Sequence, residues 1–298
     1  MKIKPVRLAI CQFEINAAAT ILGLLAMGLT SSIGEQATAA GSGTTVSWTN
    51  NMLTVQSPKI PGDRVETLWL EAFCRKGSTN RTWDKTTIPH TTKLLRAAED
   101  GSSLELESDI SGLARVHHEI RALADGAEFR LTVTNLTDEA QDIDWAQPCM
   151  RVGRFTQRKQ EDYWLKCFIF TDHGFTMLDK IPRNEEAIYH GGQVYVPPGV
   201  NREDVNPRPL SSVVPVNGLT GAISADGKML LAVAWDHTQE LFQGVIVCMH
   251  SDFRVGGLKP HETKKLYGRM YLMENNPNKL LHRYEKDFPR WREDMTGH

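Results

Sequence analysis

The densest group of side chains able to transfer protons lies in the last third of the chain. Trp235-Asp236-His237 is followed by Glu240, and His250 and Asp252 come soon after. Imidazole titrates near neutral pH, and a neighbouring carboxylate tunes that titration. The candidate general acids and bases are therefore His237, Glu240, His250 and Asp252, with Trp235 beside them as a candidate sugar contact. Two histidines with an acid equally suit a metal ion, and a solvated turn is the alternative without chemistry.

A second group mixes aromatic and cationic side chains. It contains Arg151, Arg154, Tyr163 and Trp164. An aromatic ring stacks on the apolar face of a pyranose, while a guanidinium donates hydrogen bonds to its hydroxyls. This combination is typical of a site that binds a sugar substrate. The alternative is a polar loop that leads into a strand whose aromatic residues belong to the core.

A third group lies in a long, proline-rich stretch from Asp179 to Pro215, which is longer than a simple connection needs. His190 precedes two glycines there, and Arg202 and Arg208 follow. A guanidinium matches a carboxylate or sulfate in a two-pronged fashion, so these arginines are candidates to clamp an acidic sugar. A structured surface loop is the alternative.

The scaffold for these groups is a series of short strands. Residues 45–55 predict a hairpin that turns at Asn50-Asn51, and residues 128–135 alternate apolar and polar side chains. Further strands are expected at residues 104–108, 114–122, 164–171, 194–196, 221–225, 229–235, 244–249 and 264–272. Asp226-Gly227 predicts a tight turn between two of them. If residues 229–235 and 244–249 pair, the first group collects at one sheet end or in the connecting loop.

Helical periodicity is confined to the end of the chain. Leu280, Leu281, Tyr284 and Phe288 repeat at three- and four-residue spacing, so residues 278–288 predict a short helix that packs on a sheet. Asn275, Asn276 or Asn278 could cap it, and Pro277 suits an early helical position. Many short strands and one terminal helix favour an all-β class, as a large antiparallel sandwich or a barrel.

The closing strands carry a family resemblance. Gly221-Ala222-Ile223-Ser224-Ala225-Asp226-Gly227, Cys248-Met249-His250-Ser251-Asp252 and Gly268-Arg269-Met270-Tyr271-Leu272 resemble the last strands of secreted proteins common in planctomycetes. Gly256-Gly257-Leu258-Lys259-Pro260-His261-Glu262 extends the resemblance, with His261 where the family pattern has glycine. The resemblance implies the β-supersandwich, or galactose-mutarotase-like, architecture of carbohydrate epimerases and polysaccharide lyases. No catalytic residue of that family is carried over to this chain.

The beginning of the chain predicts export. Lys2, Lys4 and Arg7 precede the uncharged apolar run of residues 17–29, and an A-x-A pattern ends at Ala39. That run is shorter than the roughly 20 residues of a membrane span. We expect residues 1–39 to be a signal peptide and residues 40–298 to form one β-sandwich domain. The mature protein is then periplasmic or secreted, with no membrane contact.

The net charge, the cysteines and the motifs of the chain limit the classes of partner and cofactor that are expected. A net charge of −2 argues against nucleic acid, which requires concentrated Lys and Arg. Cys74, Cys149, Cys167 and Cys248 remain after processing, and they suit buried thiols better than two disulfides. No nucleotide-binding, nucleophile-elbow or metalloprotease motif occurs, so no cofactor is expected, although a divalent metal stays open.

These observations predict a carbohydrate-active protein of the lyase, epimerase or hydrolase type, acting on a polysaccharide fragment through a His and carboxylate pair. The alternative is a non-catalytic carbohydrate-binding or cell-envelope interaction module. A structural envelope protein is a third class, which needs no pocket. The residues fix neither the substrate nor the oligomeric state.

Overall fold

A computed structural model of the chain describes residues 43–77 and 81–289. The predicted signal peptide lies outside the described residues. Among the described residues, none of the helices combines the length and the apolar character that a membrane span requires.

The first sheet contains seven strands within the described residues. Its order is β1-β2-β3-β9-β15-β14, and β4 pairs with β3 at the side. The strands are β1 (Thr45–Thr49), β2 (Met52–Gln56), β3 (Arg64–Cys74), β4 (Thr87–Ile88), β9 (Trp145–Arg151), β14 (Thr238–Gln243) and β15 (Cys248–Arg254).

The second sheet contains nine strands of the described chain, in the order β11-β10-β12-β13-β16-β8-β7-β6-β5. They are β5 (Thr91–Ala97), β6 (Ser103–Ile110), β7 (Ala114–Leu123), β8 (Gly126–Asn135), β10 (Cys167–Thr171), β11 (Gly174–Met177), β12 (Thr220–Ile223), β13 (Met229–Trp235) and β16 (Thr263–Glu274). Neighbouring strands in both sheets pair antiparallel. The helices are α1 (Trp83–Thr86), α2 (Gly153–Thr156) and α3 (Pro277–Asp287).

The core lies between the two sheets and is rich in aromatic rings. The Trp69 ring lies 4.9 Å from that of Phe129, and the Trp235 ring lies 4.5 Å from that of Phe253. Trp69 and Phe253 belong to the first sheet, whereas Phe129 and Trp235 belong to the second. Burying such rings contributes several kcal/mol of stabilisation in total, at roughly 25 cal/mol per Å² of apolar surface. The expected all-β class with two antiparallel sheets is confirmed.

Local signals fix several elements. The residues 45–55 hairpin forms with Asn50 and Asn51 at positive φ, and Asp226-Gly227 joins β12 to β13. At α3, the Asn276 side chain accepts a hydrogen bond from the Lys279 N–H at 3.0 Å. Pro277 begins the helix, whose buried Leu280 and Tyr284 pack on the second sheet. The expected C-terminal helix is confirmed.

Three strand predictions need correction. Residues 194–196 make only isolated bridges, because Val194 and Tyr195 contact separate segments. Residues 163–166 form a 3-10 turn, so the strand predicted at residues 164–171 begins at Cys167. Residues 244–247 are a turn, and β15 starts at Cys248. Since β13 and β15 lie in different sheets, the pairing that would have joined the first group does not occur.

Candidate functional site

The outer face of the first sheet gathers three of the predicted acid–base residues. Strand β14 pairs with β15 so that Glu240 lies opposite Asp252 and Phe242 opposite His250. Because side chains alternate along a strand, positions 250 and 252 share the face that position 240 enters from the next strand. Glu240, His250 and Asp252 are all buried. The structure thus brings these three together.

His237 lies apart from them. It is exposed in the turn between β13 and β14, where its carbonyl accepts from the Arg254 N–H at 2.8 Å. Arg254 is four residues beyond His250 on β15, which corresponds to about 13 Å of extended strand. The prediction that His237 and His250 act as one group is therefore corrected.

His250 has defined neighbours on both ring nitrogens. Its Nε2 lies 3.3 Å from Sγ of Cys248, and its Nδ1 lies 3.6 Å from Oδ1 of Asp252. The ring stacks on Phe242, with centroids 4.1 Å apart and an interplanar angle of 7°. Cys149 on β9 adds a second thiol to this group. We call Cys149, Cys248 and His250 the cysteine–histidine group.

Sequence reasoning assigned the two cysteines to the core and missed this group. The signal that would have found part of it is Cys248-x-His250-x-Asp252, since alternate positions on a strand face the same side. The contribution of Cys149 carries no such local signal, because it depends on β9 lying next to β15. All four cysteines in the described residues are buried free thiols, as the sequence favoured.

The electrostatics of this face follow from burial and close partners. The hydrogen bond between the two cysteines lowers the pKa of Cys248 well below its usual value and raises the pKa of Cys149. Burial by itself lowers the pKa of an imidazole, but Cys248 and Asp252 raise the pKa of His250 to about 10. Burial raises the pKa of Asp252 to about 7, against the effect of His250.

A short hydrogen-bonded chain leads from Glu240 towards solvent. The Asn206 N–H donates to Oε2 of Glu240 at 2.8 Å, and the Asn206 amide donates to Oε1 of Gln147 at 3.3 Å. Gln147 in turn donates to Oε2 of Glu71 at 2.9 Å, and Glu71 is exposed. Burial, with the neighbouring Asp252, raises the pKa of Glu240 well above its usual value.

Residues 181–215, which we call the covering segment, lie over this face. The Tyr195 N–H donates to the Leu241 carbonyl at 2.8 Å, and the Leu241 N–H donates back at 2.9 Å. Val194, Val196 and Val205 pack with Phe242 as an apolar cluster. The Arg208 guanidinium lies 4.8 Å from the centre of the Phe242 ring. Arg208 is therefore on the inner side of the covering segment.

The outer side of the covering segment forms an open groove of about 530 Å³. Nine residues line it: Pro182, Arg183, Asn184, Glu185, Glu186, Arg202, Leu210, Ser211 and Ser212. Asn184 fixes the floor by donating to the Leu210 carbonyl at 2.7 Å. Leu210 also packs against the apolar cluster below. Arg202 thus lines this groove, whereas Arg208 is not among its lining residues.

The predicted aromatic contacts divide between core and surface. Trp235 and Tyr163 are fully buried, and the Tyr163 hydroxyl donates to the Cys248 carbonyl at 3.0 Å. The prediction that Trp235 and Tyr163 contact a sugar is therefore wrong, because neither ring is exposed to solvent. Trp164 is half-buried and stacks on His190, with centroids 4.5 Å apart and an interplanar angle of 2°. The second and third predicted groups therefore meet at this pair.

The remaining predicted contacts are exposed and lie elsewhere. Arg151 ends β9, paired with Cys248 and with Glu66. Arg154 lies in the short helix α2, where its backbone packs against Gly62. Neither arginine is among the groove-lining residues.

Comparisons with known proteins concern the fold. A galactose mutarotase-like protein from Lactobacillus casei ATCC 334 matches with a TM-score of 0.40 and 10% identity, over 77% of this chain and 100% of that chain. The galactose 1-epimerase from Lactobacillus acidophilus NCFM matches at 0.36 and 10%, over 79% and 100%. A polysaccharide lyase matches at 0.33 and 12%, over 82% and 35%.

No protein-family model and no curated protein sequence matches the chain. The structure is similar to solved proteins of the galactose mutarotase-like kind, at low identity and low TM-score. Similarity at this level carries no argument about activity.

Proposed function

We propose that the protein binds an oligosaccharide in the groove on the outer side of the covering segment. The observation that carries this proposal is the chemistry of the groove, which presents two guanidiniums, two carboxylates, an amide and two hydroxyls. Its volume of about 530 Å³ is that of a small-ligand site. A polar lining of this kind complements a ligand that is covered with hydroxyl groups.

The ligand is an acidic sugar. Arg202 donates one hydrogen bond to the Ser211 carbonyl at 2.7 Å, and Arg183 donates to the Ala187 carbonyl. These bonds fix both guanidiniums at the groove, and each guanidinium carries five N–H donors. The donors that remain suit a uronic-acid carboxylate or a sulfate, which accept in a two-pronged fashion. Glu185 and Glu186 then accept from sugar hydroxyls.

The place of action is outside the cytoplasm. This part of the proposal rests on the sequence of residues 1–39, with its cationic start, apolar run and A-x-A ending. Export suits a protein that meets polysaccharide fragments in the periplasm or medium. Mass spectrometry of the mature N-terminus tests it, and we expect the chain to begin at Ala40.

Catalysis on the same sugar is the second candidate. The chain from Glu240 through Asn206 and Gln147 to exposed Glu71 favours it, because these hydrogen bonds link a buried acid to the surface. A reaction of the lyase, epimerase or hydrolase type there requires the covering segment to move, since His250 and Asp252 are buried. Product analysis by chromatography after long incubation with a bound sugar separates catalysis from binding alone.

A thermal-shift screen of the purified protein against neutral, uronic and sulfated oligosaccharides tests the binding proposal. A ligand that binds only the folded state raises the melting temperature, by an amount that grows with its concentration. We expect uronic or sulfated sugars to raise it and neutral sugars to raise it less. The proposal fails if every sugar leaves the melting temperature unchanged at millimolar concentration.

A further inference from the structure

Three soft ligand atoms meet at the buried cysteine–histidine group. The Sγ atoms of Cys149 and Cys248 and a ring nitrogen of His250 all lie within 4.8 Å of one another. A tetrahedral zinc ion with Zn–S near 2.3 Å and Zn–N near 2.0 Å sets its ligand atoms about 3.5 to 3.8 Å apart. The 3.3 Å between Cys248 Sγ and His250 Nε2 is already close to that spacing. Small side-chain movements therefore suffice to complete three-ligand coordination.

The environment of the second ring nitrogen of His250, Nδ1, also favours a metal ion at Nε2. Nδ1 of His250 and both carboxylate oxygens of Asp252 are buried without a hydrogen-bond partner, although Nδ1 lies 3.6 Å from Oδ1. Metal-binding histidines nearly always donate their second ring N–H to a carboxylate or carbonyl. A metal on Nε2 places the proton on Nδ1, facing Asp252. The resulting bond would satisfy Nδ1 of His250 and one carboxylate oxygen of Asp252, which are costly to bury without a hydrogen-bond partner.

The backbone at Gly244 lies so close to the cysteine–histidine group that no side chain fits at this position. A Cβ at Gly244 would collide with Cys248 Sγ and would lie 3.0 Å from His250 Nε2. The Tyr163 hydroxyl donates to the carbonyls of Gly244 and Cys248, which holds both backbone segments in place. Glycine at position 244 is thus required by the close approach of the turn to two ligand atoms.

We propose that Cys149, Cys248 and His250 bind a divalent zinc-type cation and that Asp252 orients the imidazole. Thiolate ligands select soft cations, whereas Ca²⁺ and Mg²⁺ prefer oxygen. Two thiolates also balance the charge of one divalent ion in a buried place. Three protein ligands leave a fourth position on the ion for water or another small ligand. This site is separate from the sugar groove, since none of the three ligand residues is among those that line the groove.

A disulfide between Cys149 and Cys248 is the competing state, since the two cysteines lie on neighbouring strands. It would consume both thiolates and remove the metal site. Counting thiols in the denatured protein distinguishes the two states, because residues 40–298 contain four cysteines, the full chain contains five, and a disulfide hides two of them. The metal proposal predicts that every cysteine of the purified chain reacts after chelation.

The test measures metal content and coordination in the full-length protein. We expect about one zinc ion per chain after incubation with Zn²⁺ and desalting, for wild type and for the control Cys167→Ser. Cys167 is also a buried thiol, but it lies outside the ligand group. Cys248→Ser should lose at least 10-fold in zinc affinity, because loss of even a hydrogen-bond partner of a ligand costs about 10- to 100-fold.

A second measurement keeps the proposal falsifiable if Cys248→Ser does not fold. Wild-type protein loaded with Co²⁺ should show thiolate-to-cobalt charge-transfer absorption and the visible bands of tetrahedral cobalt. Gly244→Ala, which retains all three ligands, should reduce both signals. The proposal is overturned if wild type binds neither ion, if Cys248→Ser binds zinc as wild type does, if the cobalt spectrum lacks thiolate absorption, or if two thiols remain hidden after chelation.

Discussion

Cys248 and His250 lie on one strand, two residues apart, with Sγ and Nε2 separated by 3.3 Å. Strand alternation places both on the outer face of the first sheet, and Asp252 follows at the next position of that face. Phe242 closes the group by stacking on the imidazole. A single strand thus supplies a thiol, an imidazole and a carboxylate to one buried site.

Phe242 links the covering segment to this site, so its removal should loosen both. Phe242→Ala removes a fully buried ring from the apolar cluster, and we expect the free energy of unfolding to fall by about 3 to 5 kcal/mol. Urea denaturation measures this change. Leu95→Ala is the control, because Leu95 is 46% exposed and should change stability by less than about 0.5 kcal/mol. Equal effects of the two substitutions would contradict the packing described.

The Glu240 carboxyl serves as a hydrogen-bond acceptor in a buried place. Glu240→Gln retains an oxygen for the Asn206 N–H, so we expect it to change stability by less than about 1 kcal/mol. Glu240→Ala leaves that N–H without a partner, which costs about 1 to 3 kcal/mol in addition to lost packing. Thermal unfolding of the two variants compares them directly. If glutamine destabilises as much as alanine does, the contact with Asn206 is not the reason for burying Glu240.

His118 predicts a specific dependence of stability on pH. Its Nδ1 accepts from the Trp69 indole N–H at 3.3 Å, its Nε2 lies 2.8 Å from Ser108 Oγ, and burial lowers its pKa to about 3. In the unfolded chain His118 has an ordinary histidine pKa near 6.5. Below that pH the unfolded chain therefore binds a proton at His118, whereas the folded protein does not. The contribution of His118 to the free energy of unfolding is therefore fully present above about pH 6.5. It is lost as the pH falls towards 3, by about 1.4 kcal/mol per pH unit.

His118→Gln removes this titration. Its unfolding free energy between pH 6 and 4.5 should fall less steeply than that of wild type, by the equivalent of one proton. Denaturation series at several pH values measure both slopes. Identical slopes would mean that His118 does not stay neutral in the folded protein.

Sequence patterns predicted best where the physical signal is local. Asn50-Asn51 and Asp226-Gly227 adopt tight hairpin turns, and Asn276 with Pro277 starts the terminal helix. His118 is buried while its neighbour His117 is near the surface beside Glu105, because successive side chains of a strand point to opposite faces. Such features depend on neighbours in sequence, which a single chain displays directly.

The site was harder to predict because it depends on sheet order. Cys149 meets Cys248 only because β9 lies between β3 and β15, an arrangement that no short segment encodes. The sequence places His237 beside His250 only if β13 pairs with β15, but these strands lie in different sheets. Trp235 is in the core because its strand faces Trp69 and Phe253. The sequence indicates which residue types form the site, but it does not predict their positions in the two sheets.

The most direct test of the sugar-binding account is the dissociation constant of an acidic oligosaccharide, measured by calorimetry on three proteins. Arg202→Gln removes a guanidinium that lines the groove, whereas Arg96→Gln removes an exposed guanidinium on β5, in the other sheet. Losing a charge-assisted pair costs about 1.5 to 3 kcal/mol, so we expect Arg202→Gln to weaken binding at least 10-fold and Arg96→Gln to leave it unchanged. Equal affinities for all three proteins would contradict binding in this groove.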